Sequence, residues 1–186
     1  MPTIVHEFPW PDRVVVGTVG LPGSRTFYLQ VRAGKQIVSI ALEKQQSALL
    51  ADKIDEILDQ LITFEGNPFS IPTATPVELV DNDPLEQPVD EQFRTGAMSL
   101  GWDPSTVQVV IEAYPIDIDS DTDADDESIN DDSVEVAEML LVRLPVGTAR
   151  AFAMRTREVV GAGRPMCSLC GYPIDADGHT CIVPED

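Results

Sequence analysis

The chain has 186 residues, 43% of them apolar, and carries 12 Lys and Arg against 32 Asp and Glu, a net charge of −20. That apolar share excludes disorder along the whole length, and the length suits one domain, alone or with a small appendage, whose main core needs no disulfides. The charge argues against bulk binding to nucleic acid or anionic membrane, because phosphate recognition uses clustered Lys and Arg.

The nearest approach to a basic cluster is Arg150, Arg155, Arg157 and Arg164, which leaves a small local nucleic-acid site as a disfavoured reading. The N-terminal MPTIVHEFPWPDR has no basic start followed by an apolar run, and no stretch approaches the roughly 18 consecutive apolar residues of a membrane span. Neither a secretory signal nor a spanning segment is therefore expected. Three cysteines in one tight group do not suit a secreted disulfide framework. The expected location is the cytoplasm.

Residues 1–12 hold Pro2, Pro9 and Pro11 around Trp10 and read as an extended arm, with Trp10 its candidate anchor. Arg13–Val19 is Val-rich and reads as a strand. Thr26–Arg32 alternates, with Phe27, Leu29 and Val31 on one face, the mark of a half-buried strand. Ala33-Gly34-Lys35 is a tight turn, and Gln36–Leu42 a third strand with Val38, Ile40 and Leu42 on one face. The intervening Gly17-x-x-Gly20-x-x-Gly23 lies between strands rather than before a helix, so it reads as a hairpin turn and not as a phosphate cradle.

The period then changes. Leu50, Ile54, Ile57, Leu58 and Leu61 form a helical stripe within Lys44–Ile62, and Gly66, Asn67 and Pro68 mark its stop. Residues 66–91 are too proline-rich for regular structure beyond a short edge strand. Strand patterns return in Phe93–Gly101, in Val107–Tyr114 and in Val134–Leu144. Residues 148–160 are helical, with Ala149, Phe152, Ala153, Thr156 and Val160 on the stripe.

The order βββα, connection, βββα reads as an α+β fold of pseudo-duplicated units. Antiparallel sheet or sheets are covered by two helices, and a small zinc knuckle follows. One mixed sheet without duplication satisfies the same order. The domain spans 13–160, with halves 13–65 and 92–160 joined by the connection 66–91, and the tail is 164–186.

Asp117–Asp132 holds nine acidic residues and no basic one. Within the loop 117–133 it reads as a disordered hairpin connection, or as a docking site for a basic partner surface. An EF-hand needs Gly at its sixth position and Glu at its twelfth. Counting from Asp117 these are Thr122 and Ser128, and counting from Asp119 they are Ala124 and Asn130, so neither register fits.

The tail carries Cys167-x2-Cys170-x8-His179-x-Cys181. Thiolate and imidazole are the ligands that Zn²⁺ takes in a tetrahedron, and a C-x2-C turn places two sulfurs on one ion. Cys167, Cys170, His179 and Cys181 are therefore the candidate ligands of a structural Zn²⁺. A redox CxxC would sit at a helix start, whereas this one follows Gly161-Ala162-Gly163.

The segments FPWPDRVVVGTVGLPGSRTFYLQVRAG, VSIALEKQQSALLADKIDEIL and GRPMCSLCGYPIDADGHTC give the chain a resemblance to an actinobacterial family, domain of unknown function 3090. The family pattern has Pro after the first Cys where this chain has Ser168, a change that removes no ligand. The resemblance implies an actinobacterial cytosolic protein and brings no activity with it.

No acyl-transfer nucleophile, H-E-x-x-H or nucleotide fingerprint is present in the sequence. The leading expectation is a non-enzymatic binding or adaptor protein acting through protein contacts. The alternative is an enzyme or small-ligand sensor with a polar pocket near Arg25, Arg32, Glu43 and Gln46. The bland reading of Glu43–Gln46 is a polar helix start.

Overall fold

Seven strands and two helices account for most of the residues that the computed structural model describes, namely 3–116, 137–163, 167–170, 174 and 178–181. The strands are β1 (Thr3–Phe8), β2 (Arg13–Val19), β3 (Thr26–Ala33), β4 (Gln36–Leu42), β5 (Glu91–Asp103), β6 (Gln108–Pro115) and β7 (Ala137–Pro145). The helices are α1 (Lys44–Ile62) and α2 (Val146–Gly161). The acidic segment 117–133 lies outside the described residues.

All seven strands form one mixed sheet in the order β1-β7-β6-β5-β4-β3-β2. The expected antiparallel arrangement needs correction, because β1 pairs with β7, and β4 with β5, in parallel. A parallel pair needs a long crossover, which α1 and the proline-rich connection supply between β4 and β5. The N-terminal arm is also more than an arm. Residues Thr3–Phe8 add an edge strand in register with Ala137–Val142. Its anchor is Phe8, fully buried, while Trp10 is 63% exposed.

The β2-β3-β4 meander follows its alternation. Phe27, Leu29, Val31, Val38, Ile40 and Leu42 are buried on the core face. The opposite face is covered in part by the connection 66–91, which is irregular apart from a 3₁₀ turn at Val77–Leu79. Gln30, buried on that side, donates to the Ser39 hydroxyl and the Glu86 carbonyl and accepts from the Glu86 N–H. Leu85 lies over Gly17, where a Cβ would stand 2.5 Å from Leu85 Cγ. Gly20 and Gly23 have φ of 102° and 95°, a backbone region that L side chains rarely enter. The three glycines thus serve a close approach and a turn.

Helix α1 begins where expected because its first turn is closed locally. Gln46 Oε1 accepts from the Glu43 N–H at 2.8 Å, one arm of a capping box. Strand β5 is longer than the expected Phe93–Gly101 and is irregular between Thr95 and Met98. Gln46 Nε2 donates to the Thr95 and Gly96 carbonyls at that irregularity. Val107, expected to open the strand Val107–Tyr114 in phase with Val109 and Ile111, instead takes φ 57° in the turn before β6. Leu50, Ile54 and Leu58 of α1 and Ala149, Phe152 and Ala153 of α2 share one buried cluster with the strands.

The helices are also joined by charge. Arg150 is buried and donates to Asp55 at 2.7 Å, to Asp59 at 2.6 Å and to the Pro72 carbonyl at 2.9 Å. Arg157 pairs with Asp52 at 3.0 Å and with Asp55. Of the arginines that suggested a nucleic-acid site, Arg150, Arg155 and Arg157 make internal ion pairs, and Arg164 lies outside the described residues. No helix among the described residues is long and apolar enough to cross a membrane.

Candidate metal centre

Among the described residues, Arg25 holds the root of the tail to the body. Arg25, stacked over the Phe27 ring at 4.8 Å, donates to the carbonyl of Ala162 just past the end of α2. Beyond it, residues 168–170 form a turn. The Leu169 N–H donates to Cys167 Sγ at 3.4 Å, and this turn brings the first two cysteines together. Gly178, with φ 90°, precedes His179 where the chain returns.

The ligand atoms of Cys167, Cys170, His179 and Cys181 all lie within 4.8 Å of one another, close enough to hold a metal ion. Cys167 Sγ and Cys181 Sγ are 3.9 Å apart, and Cys170 Sγ and His179 Nε2 are 3.4 Å apart. A tetrahedral ion with metal–sulfur bonds of about 2.3 Å and metal–nitrogen bonds of about 2.0 Å requires edges of about 3.8 Å and about 3.5 Å. The Cys167–Cys181 and Cys170–His179 pairs match those edges, and the donor set is one that a tetrahedral cation takes. His179 presents Nε2 to the cluster, and its buried Nδ1 has no partner among the described residues.

The thiols do not share one environment. Backbone N–H groups of Cys170 and Leu169 hold the Cys167 thiol down to about 6. Loss of solvation, followed by hydrogen bonding to Cys170 and Cys167, pushes Cys181 up to about 11. Three adjacent thiolates repel one another, and a dication in their midst offsets that repulsion.

The second expected site does not assemble. Arg25 and Arg32 stand at opposite ends of β3, about 23 Å apart at the rise of a strand. Arg32 faces Glu86 at 3.2 Å and Asp12 at 3.9 Å. Glu43 and Gln46 do meet, at the start of α1, where Glu43 pairs with Arg94 at 2.5 Å. Their hydrogen bonds close the helix start and the irregular stretch of β5.

Sequence reasoning missed the partners of Arg13 and Arg155. Both guanidinium groups meet Asp81 of the connection, at 2.7 Å and 3.2 Å. Asp81 is held below the usual carboxylate range, first by the hydrogen bond from Arg13. A buried Arg in an otherwise apolar helix face was the available signal, and only the position of Arg155 on α2 relative to β2 turns it into one.

A family model described as protein of unknown function (DUF3090) matches residues 6–181. No curated protein and no solved structure matches the chain.

Proposed function

The chain belongs to the DUF3090 family, and for this member we propose a structural zinc knuckle on an α+β body that acts by binding a partner protein rather than by catalysis. The observation that carries the metal reading is the convergence of three thiols and one imidazole within 4.8 Å. Three sulfur donors favour Zn²⁺ over the harder divalent cations. Four protein ligands complete the tetrahedron and leave no position for a reacting water, the arrangement of a structural site.

Metal ligation supplies folding energy to a segment too short for its own core. The buried cluster of the body includes no described residue of the tail. What the ion orders is therefore a small surface, and Leu169 at its turn is 75% exposed. An apolar side chain held out by a rigid turn suits a contact with another protein. The net charge of −20 favours a partner with a basic surface.

Metal analysis of the purified protein tests the first half, with about one Zn²⁺ per chain expected and none in Cys170→Ser. Absence of metal from protein purified without chelator overturns it. Affinity capture with wild-type and Cys170→Ser baits tests the second half. A basic protein retained by the first and lost by the second is expected, and equal retention by both removes the knuckle from the contact.

A further inference from the structure

The metal cluster lies on the tail, whereas a separate cavity of about 110 Å³ opens in the body between β2, α2 and the connection. Thr148, Ala151, Phe152 and Arg155 bring one face of α2 to it, Arg13–Val15 bring β2, and Leu79 and Asp81 close it. We propose that this cavity binds a small oxyanion, a phosphate or a carboxylate group, through Arg13 and Arg155.

The Arg155 side chain is 8% exposed. Its Nε donates to the Val16 carbonyl at 3.0 Å and its Nη1 to the Asp81 carbonyl at 2.7 Å and to Asp81 Oδ1 at 3.2 Å. Its Nη2 has no hydrogen-bond partner among the described residues. Arg13 uses Nε and Nη2 on Asp81 and on the carbonyls of Asp83 and Pro84, and its Nη1 is likewise without a partner there. The two guanidinium groups share the Asp81 carboxylate, while Asp83 and Glu86 also act on Arg13, and Asp83 and Glu158 on Arg155.

The edge of the sheet adds donors. The Val16 carbonyl points away from β3, since it accepts from Arg155. In an antiparallel strand the N–H and C=O of one residue point the same way and the pattern repeats every second residue. The Val14 N–H therefore lies on that same open edge, beside the cavity. The remaining acid in the wall, Asp12, is turned elsewhere: its Oδ2 accepts from the Gly34 N–H at 2.6 Å. Asp83 and Glu86 line the neighbouring groove with Arg32.

N–H donors without a protein acceptor are open to a ligand, and an anionic oxygen satisfies them better than a neutral one. Size narrows the class further. The cavity exceeds the roughly 30 Å³ of one water but is far below the roughly 300–1,000 Å³ of a pocket for a drug-sized ligand. A tetrahedral or planar oxyanion group fits, and a nucleoside does not. The cavity shares no residue with the metal cluster, so the two readings stand or fall separately.

Amide and arginine NMR titrations of the full chain, at ionic strength held constant with chloride, test it with inorganic phosphate and with acetate in parallel. Saturable shifts at Arg13, Val14, Thr148 and Arg155 are expected with one or both anions. Phosphate alone assigns a phosphate group, acetate alone a carboxylate, and both the shared oxyanion chemistry. Arg13→Lys and Thr148→Val should each weaken the binding about fivefold or more, a size set by one charge-assisted hydrogen bond. These variants spare Arg155, whose loss would also uncap the Val16 carbonyl. Shifts that never saturate, that centre elsewhere, or that persist unweakened in both variants overturn the proposal.

Discussion

Gly17→Ala should destabilise the protein in its natural background and cease to do so once Leu85 is shortened. A Cβ at position 17 would lie 2.5 Å from Leu85 Cγ, 2.6 Å from Cδ2 and 3.2 Å from Cδ1. Carbon atoms rest at about 3.5–4.0 Å, so Leu85 must retreat by about 1 Å or more. Leu85 is 6% exposed and seats the connection on the sheet. Overpacking of this kind costs about 1–3 kcal/mol. Replacing a strand glycine by alanine returns about 0.5–1 kcal/mol, which leaves a net loss of up to about 2.5 kcal/mol.

Leu85→Ala alone removes a buried side chain from an outer face and should cost about 2–3 kcal/mol, the low end for such truncations. In that background Cγ, Cδ1 and Cδ2 are gone, so Gly17→Ala has nothing to strike. Its effect should turn neutral or stabilising by up to about 1 kcal/mol. Urea unfolding of the four proteins closes the cycle. Additivity within about 0.5 kcal/mol would refute the argument, because it would mean that the Gly17–Leu85 approach does not govern the cost.

Arg150→Met should cost about 1–2 kcal/mol in the same assay, because the Pro72 carbonyl loses its donor and the partly buried Asp55 keeps only Arg157, while the exposed Asp59 returns to water. Asp81→Asn should alter the response to acid. Its folded pKa is depressed, first by the bond from Arg13, so its contribution is complete above the ordinary carboxylate range. That contribution is lost as pH falls below about 4 toward the folded value, and the variant should show a shallower loss of stability there. Chelation, or Cys170→Ser, should leave the main thermal transition within about 2 °C of wild type, since no described tail residue joins the core. A fall of many degrees would mean that the tail packs on the body. Nitrogen NMR of His179 should report metal ligation through Nε2, and a ligated Nδ1 would contradict the observed orientation.

Much of the local architecture was legible. Helix α1 spans Lys44–Ile62, as its stripe and stop residues indicate, and β2 and β4 span Arg13–Val19 and Gln36–Leu42. The four metal-cluster residues were legible for a different reason: soft donors at C-x2-C and H-x-C spacing meet within one short loop and need little from the rest of the fold. Val107 shows the limit of periodicity, since a residue in phase with Val109 and Ile111 was claimed by the turn instead. Arg25, Arg32, Glu43 and Gln46 show another limit. Polar residues near each other in sequence were separated by the length of a strand or used up by a helix start.

The sequence by itself determined the elements whose signal is local: the alternation of Thr26–Arg32, the stripe of Lys44–Ile62 and the spacing of the Cys/His set. Tertiary structure alone decided that Thr3–Phe8 lies parallel to Ala137–Val142, that β4 lies parallel to β5, and that Arg13 and Arg155 share Asp81. An alternating pattern states which side chains a strand buries and is silent about its neighbour and direction. Likewise, a charge names no partner until folding brings distant segments together, and desolvation then makes the choice of partner matter.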